Sequence, residues 1–231
     1  GFDAKTGIDL PFEKQGLIPD RDLFERWDRD NDPRLDPSRK EFASPWFGGD
    51  LFQAAVGQGS VLSTPIQLAT AYSALVNGGT VWKPRIVAEV QTEDGEVVEA
   101  MEPEALATIT DLSASTVRAL RNDLQQVVNN SRGTAYSAFV DFGDSRSLVG
   151  GKTGTAEIIK AQFEDGELIQ DGVTTALFVG VTPIDDPEFV VVVIIERGGS
   201  GGGIAAPTAK PILQYLLNES ITEVQVGLEA D

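Results

Sequence analysis

The run Val149-Gly150-Gly151-Lys152-Thr153-Gly154-Thr155-Ala156-Glu157 puts an amine, two hydroxyls and three glycines side by side. Glycine weakens a strand and offers no side chain to pack, but it permits close approach of another backbone or of a ligand. A lysine flanked in this way sets a positive charge beside exposed N–H donors, which suits a carboxylate or a phosphate. The same residues also fit a plain edge strand with a solvated lysine. A second copy of the tripeptide, Lys5-Thr6-Gly7, runs on into Ile8-Asp9-Leu10-Pro11. It lacks the glycine pair before it and the Thr-Ala after it, and reads as structural.

Composition narrows the chemistry open to these groups. Eighteen basic and thirty-six acidic residues leave a net charge of −18, which argues against nucleic acid or anionic lipid as a partner. With no histidine there is no Ser-His-Asp triad and no histidine-ligated metal, so acid–base work falls to lysine, carboxylate or tyrosine. With no cysteine, disulfides and thiolate chemistry are excluded, in keeping with an exported protein. No cofactor is implied. Asp28-Arg29-Asp30-Asn31-Asp32 imitates the start of a calcium loop, but Pro33 stands where the turn needs glycine and Arg39 where a bidentate Glu belongs. The longest strongly apolar run, Phe189 to Ile195, is too short to span a bilayer. No signal peptide is visible and the chain starts at Gly1 without a methionine, so an upstream segment is expected.

The elements that would position the lysine follow from pattern. Gly1 to Asp20 reads as loop, and Asp20 to Pro45 as an exposed irregular segment. Thr64 with Pro65 and Gln67 forms a capping box that opens a helix closed by Gly78-Gly79. Val81 to Val90 alternates as a strand, with a hairpin return through Asp94-Gly95 to Val97-Val98. Val117, Leu120, Leu124 and Val127 predict a second helix over Ser113 to Asn129. Thr174 to Val181 and Phe189 to Ile195 read as an antiparallel pair joined at Asp185-Asp186-Pro187. Gly198 to Gly203 is a glycine loop before a last helix from Pro207 to Leu217, with Pro211 in its first turn. Helices first, then strands, then a closing helix predict an α+β fold, with residues 1–140 mainly helix and loop with a hairpin, and 141–231 the sheet strands and last helix.

Gly151-Lys152-Thr153-Gly154-Thr155-Ala156-Glu157 resembles the Lys-Thr-Gly strand of the penicillin-binding proteins and serine β-lactamases. Gly57-Gln58-Gly59, Thr64-Pro65-Ile66-Gln67-Leu68-Ala69 and Asn77-Gly78-Gly79 are similar to the Gly-Gln-Gly region and helix of the class B transpeptidases. Phe2 to Pro11, Thr174 to Ile195, the glycine loop and the final helix extend the likeness over most of the chain. The departure is equally specific. The family's nucleophile lies in Ser-x-x-Lys and its partner in Ser-x-Asn, and no serine here has lysine three residues later or asparagine two later.

The chain therefore resembles the C-terminal part of a transpeptidase domain, an antiparallel sheet covered by helices on both faces, without the serine. The resemblance implies a peptidoglycan D,D-transpeptidase acting on D-Ala-D-Ala stem peptides and acylated by β-lactams, on the extracytoplasmic face of the membrane and anchored upstream. Lys152 would lie behind the serine pair, Thr153 and Thr155 would bind the terminal carboxylate, and the Thr155 N–H would form half of an oxyanion hole. Gly154 would let the substrate lie along the strand. A companion segment bearing Ser-x-x-Lys and Ser-x-Asn is expected on the bare sheet face. The rivals are a non-catalytic module of the same fold, a P-loop, which needs glycine where Arg146 stands, and a dinucleotide site at Gly201-Gly202-Gly203.

Overall fold

A computed structural model describes residues 2–42, 44–164 and 167–219 of the chain. In chain order the elements are α1 (Arg21–Arg29), α2 (Gly48–Ala55), α3 (Pro65–Val76), β1 (Thr80–Trp82), β2 (Glu89–Gln91), β3 (Val97–Ala100), β4 (Ala105–Thr108), α4 (Ala114–Asn129), β5 (Gly150–Glu164), β6 (Glu167–Thr182), β7 (Phe189–Ile195) and α5 (Ala206–Leu216).

The strand carrying Lys152 is β5. It pairs antiparallel with β6 from Gly150 opposite Val181 to Glu164 opposite Glu167, and β6 pairs with β7 from Ala176–Ile195 to Thr182–Phe189. The order β5-β6-β7 leaves β5 at an edge among the described residues. Alternation along β6 gives each face its own core. Ala176 and Phe178 join Phe139, Phe142, Val149, Ala205, Ala206, Ala209 and Leu213 in one cluster, so α5 covers that face. Val181 packs with Val76 of α3, Leu124 of α4 and Ile184 on the other. The expected sheet with helices on both faces is therefore present, and around Ala176–Val181 both faces are covered by helices of this chain. The bare sheet face expected to receive a companion segment is not found there; among the described residues it is the β5 edge that is left open.

The glycine pair before Lys152 belongs to this packing. A β-carbon on Gly150 would lie 2.6 Å from Ile184 Cδ1 and 3.2 Å from Leu124 Cβ, and one on Gly151 only 2.4 Å from Phe178 Cζ. The two glycines let α4 and an aromatic ring close onto the sheet. Only the second half of the Val149 to Glu157 run is free to meet a ligand.

Local sequence sets the helices. Thr64 Oγ1 accepts from the Gln67 N–H at 3.2 Å while Gln67 Oε1 accepts from the Thr64 N–H at 2.9 Å, the reciprocal cap expected. The buried Gln67 amide also donates to Ala4 and Gln15 carbonyls at 2.7 and 2.6 Å, tying the N-terminal segment to α3. Ser113 caps α4 by accepting from the Thr116 N–H.

Four expectations need correction. The segment Asp20 to Pro45 is not irregular throughout: Asp20 caps α1 through the Leu23 N–H, and Phe24 and Trp27, three residues apart, bury with Leu35 in a small core of their own. The span Val81 to Val90 is not one strand. It breaks at Lys83-Pro84, where proline lacks the N–H a ladder needs, and β1 pairs with β4 while β2 pairs with β3 around Gly95. The hairpin of β5 and β6 extends well beyond Thr174, out to Glu164 opposite Glu167 and past the apolar run that marks β6 in the sequence. The glycine loop is a π-helical turn over Gly201–Ala205 leading straight into α5, so Pro211 falls in the second turn of α5 and leaves the Pro207 carbonyl without its usual helical donor. The calcium-like run is spent on ion pairs, with Asp30 on Arg29 and Asp32 on Arg34.

Several carboxylates are held ionised by the fold. Glu13 accepts from the Thr6 hydroxyl and N–H and from the Gly7 N–H, and the Thr6 hydroxyl bond leads in drawing its carboxyl below the ordinary 4.5. Asp9 is lowered by the Ile86 and Val87 N–H groups, and Asp32 to about 2 chiefly by its hydrogen bond from Arg34. A carboxyl with a depressed folded pKa adds stability that is present above its unfolded value and fades as pH falls through the folded one. The melting temperature should therefore drop progressively from about pH 4.5 down to about pH 2. Thermal melts of Glu13→Gln, which cannot lose that charge, should show a shallower drop over the upper part of that range than the parent. Parallel curves for the two would contradict it.

Candidate functional site

The exposed edge of β5 is where the chain can do chemistry. The Thr153 carbonyl accepts from Lys152 Nζ at 2.7 Å, and the Thr155 carbonyl from Gln58 Nε2 at 3.0 Å. Both carbonyls therefore face away from β6. In an antiparallel ladder the N–H and C=O of one residue point the same way, so the Thr153 and Thr155 N–H groups face that edge as well. This is a row of preorganised donors and acceptors of the kind an added strand uses.

The side chains divide between the faces. Thr153 stands opposite Phe178 and Thr155 opposite Ala176, on the α5 side, whereas Lys152 stands opposite Val179 on the side of α3 and α4. Thr153, Gly154 and Thr155 line a groove of about 370 Å³ with Thr134, Ser137, Ser200, Gly202 and Gly203. Lys152 does not line it; it is exposed on the other face beside the same edge. Of the residues singled out in the sequence, three share one groove and the amine flanks it.

Glycines bring the far wall of the groove in. A β-carbon on Gly201 would lie 2.4 Å from both the Gly154 and Leu177 carbonyl oxygens, so only glycine lets the π-helical turn sit this close to the sheet. There the Gly201 N–H donates to Thr155 Oγ1 at 3.3 Å. With that oxygen already accepting, the Thr155 hydroxyl keeps its own proton for an incoming acceptor. Ser200 Oγ likewise accepts from the Gly203 N–H at 3.1 Å. The positive N-terminal end of the final helix is thus aimed at the groove. Five hydroxyls line it and no carboxylate does, in a chain with thirty-six acidic residues. Such a lining favours an anionic group.

A larger cavity of about 640 Å³ adjoins the strand through Gln58 and Glu157. Most of its charges are engaged: Arg39 holds Asp50 at 2.6 and 3.0 Å, the Arg34 guanidinium lies on Asp32 beside the cavity, and Asp36 accepts from Ser38. Size alone does not make it the better candidate.

The first Lys-Thr-Gly copy has a different use. Thr6 is buried, with its hydroxyl and N–H both given to Glu13. Neither rival phosphate motif finds its context. The strand continues from Gly154 to Glu164 where a P-loop needs a helix, and among the described residues no strand follows α5 to complete a dinucleotide unit. No group of three His, Cys, Asp or Glu among the described residues is placed to hold a metal. Sequence reasoning missed Thr134 and Ser200. Thr134 sits in Gly133-Thr134-Ala135, in the loop after α4, and its hydroxyl lies 2.7 Å from that of Thr153.

An α+β sheet whose edge strand carries Lys-Thr-Gly-Thr beside a hydroxyl-lined groove defines a class, and comparison with known proteins agrees. The penicillin-binding protein transpeptidase domain matches residues 1–214, and the chain belongs to that family. It is 31% identical to the peptidoglycan D,D-transpeptidase MrdA of Haemophilus influenzae over 97% of this chain and 32% of that protein. It is 32% identical to the stage V sporulation protein D of Bacillus subtilis, over 98% of this chain and 30% of that one. The chain thus spans about a third of the length of these relatives. Among solved structures, penicillin-binding protein 2 of Pseudomonas aeruginosa in complex with WCK 5153 superposes with a TM-score of 0.69 at 29% identity, covering 100% of this chain and 44% of that one. Penicillin-binding protein 3 of Mycobacterium tuberculosis complexed with ampicillin gives 0.66 at 27%, covering 94% of this chain and 43% of that one. Among the described residues no helix is long and apolar enough to cross a membrane.

Proposed function

We propose that this chain is the C-terminal part of the transpeptidase domain of a serine D,D-transpeptidase, supplying the wall on which peptidoglycan stem peptides are bound. The observation that carries the reading is the exposed β5 edge, with outward backbone donors, an amine on one face and a carboxylate-free groove of hydroxyls on the other. A stem peptide ending in D-Ala-D-Ala lies along β5 as an added strand, its terminal carboxylate in the groove against the Thr153 and Thr155 hydroxyls. A serine from a companion segment bearing Ser-x-x-Lys and Ser-x-Asn attacks the penultimate carbonyl, D-alanine leaves, and the acyl group passes to an amine of a second strand. Lys152 supplies a positive charge near the serine pair, and the Thr155 N–H, facing the free edge, donates to the developing oxyanion; losing one such donor costs on the order of 3 kcal/mol. β-Lactams occupy the same groove and acylate the same serine. The protein acts on the extracytoplasmic face of the membrane, anchored through an upstream segment.

Release of D-alanine by the full-length protein, given a pentapeptide ending in D-Ala-D-Ala, tests this. Steady release blocked by penicillin is the expected result. Binding of the peptide without release would mark a non-catalytic module, and protection by nucleotides instead would mark a phosphate-binding protein.

A further inference from the structure

Thr134 stands outside the strand and outside every motif that defines the family resemblance, yet its hydroxyl is 2.7 Å from that of Thr153, with either oxygen able to be the donor. Two features show that this contact is built. The loop after α4 is pressed against the π-helical turn so closely that a β-carbon on Gly202 would lie 2.3 Å from the Thr134 carbonyl oxygen. Thr134 is nonetheless exposed, so core packing does not demand a residue of its shape there.

The direction of the shared proton matters. For an anion seated against Thr153, a bond donated by Thr153 to Thr134 presents a lone pair there, the free proton then being that of Thr134; if Thr134 donates to Thr153, the Thr153 proton is free to point into the groove. An anion repels the first arrangement and stabilises the second, because a hydrogen bond to a charged acceptor is the stronger one. Thr155 is already set in the donating state by the Gly201 N–H. Thr134 gives Thr153 the equivalent support.

Resting on the reading above, we propose that Thr134 is a positioning residue: its hydroxyl donates to Thr153 and turns the Thr153 proton toward the substrate carboxylate. It governs how well a carboxylate-bearing ligand is held before acylation rather than the acylation step itself.

The test uses the full-length protein, with binding (Kd) and acylation (k2) separated for benzylpenicillin and the same measured for its carboxyl methyl ester. Thr134→Val should raise Kd for benzylpenicillin about five- to tenfold, the worth of one neutral hydrogen bond, with k2 within about twofold and the ester nearly unaffected. Thr134→Ser keeps the hydroxyl and should match the parent, which also covers the case in which the valine variant does not fold. The inference is overturned if Thr134→Val weakens acid and ester equally, if only k2 changes, or if Thr134→Ser loses affinity for the acid. Should the unaltered protein form no acyl-enzyme at all, the transpeptidase reading falls and takes this inference with it; the other failures leave that reading intact.

Discussion

Lys152→Ala in the full-length protein should reduce penicillin acylation by roughly 10²–10⁴-fold, the range over which a positioned proton-transfer group contributes to a reaction. It should do so with little loss of stability. Lys152 is exposed, and its one recorded hydrogen bond is to the carbonyl of the next residue, so no core contact is lost with it. Lys5→Ala is the matched control. The first Lys-Thr-Gly owes its structure to Thr6 and Gly7 on Glu13 rather than to the lysine amine, and labelling should stay near normal. Gel labelling with a fluorescent penicillin reads both variants side by side. An essential Lys5 with a dispensable Lys152 would mean that the wrong copy carries the chemistry.

The second large effect concerns the core under the strand. Phe178 is fully buried in β6, with its ring centroid 5.7 Å from that of Phe139, which in turn stacks on Phe142 at 5.5 Å. Phe178→Ala should cost about 3–5 kcal/mol, since the space is enclosed by α5 and the short helical turn at Tyr136–Phe139 and cannot simply collapse. Gly151→Ala attacks the same spot from the other strand, because the new methyl would meet the Phe178 ring at 2.4 Å and force it to move; overpacking of this kind costs about 1–3 kcal/mol. Denaturant unfolding of the full-length variants measures both. A loss below about 1 kcal/mol for Phe178→Ala would show that this cluster is not what holds the sheet to α5.

The parts legible in the sequence were those fixed locally. The Thr64–Gln67 cap, the spacing of Val117, Leu120, Leu124 and Val127, and the two apolar runs of β6 and β7 each carry their own signal within a dozen residues. The site was legible as the tripeptide and its flanks, and the family likeness supplied the rest. What stayed hidden depends on distance along the chain. The function of Gly150 and Gly151 is set by Ile184, Leu124 and Phe178, and in the sequence alone it stays open between close packing and ligand access. Gln58 reaches Thr155 across 97 residues, and Thr134 reaches Thr153 across 19, through loops with no periodicity to read. The helix α1 was masked by its charge: Phe24 and Trp27 are its only buried residues, so its apolar stripe is too thin to stand out among Asp and Arg.

The role proposed for this chain is the substrate wall of an enzyme acylated on a serine that the chain does not itself carry. The most direct measurement is intact-mass analysis and peptide mapping of the full-length protein after incubation with benzylpenicillin. The account predicts a single added penicilloyl group, on a serine of a Ser-x-x-Lys motif outside Gly1–Asp231, and its loss in Lys152→Ala. An unmodified protein, or an acyl group on a serine within Gly1–Asp231, would contradict it.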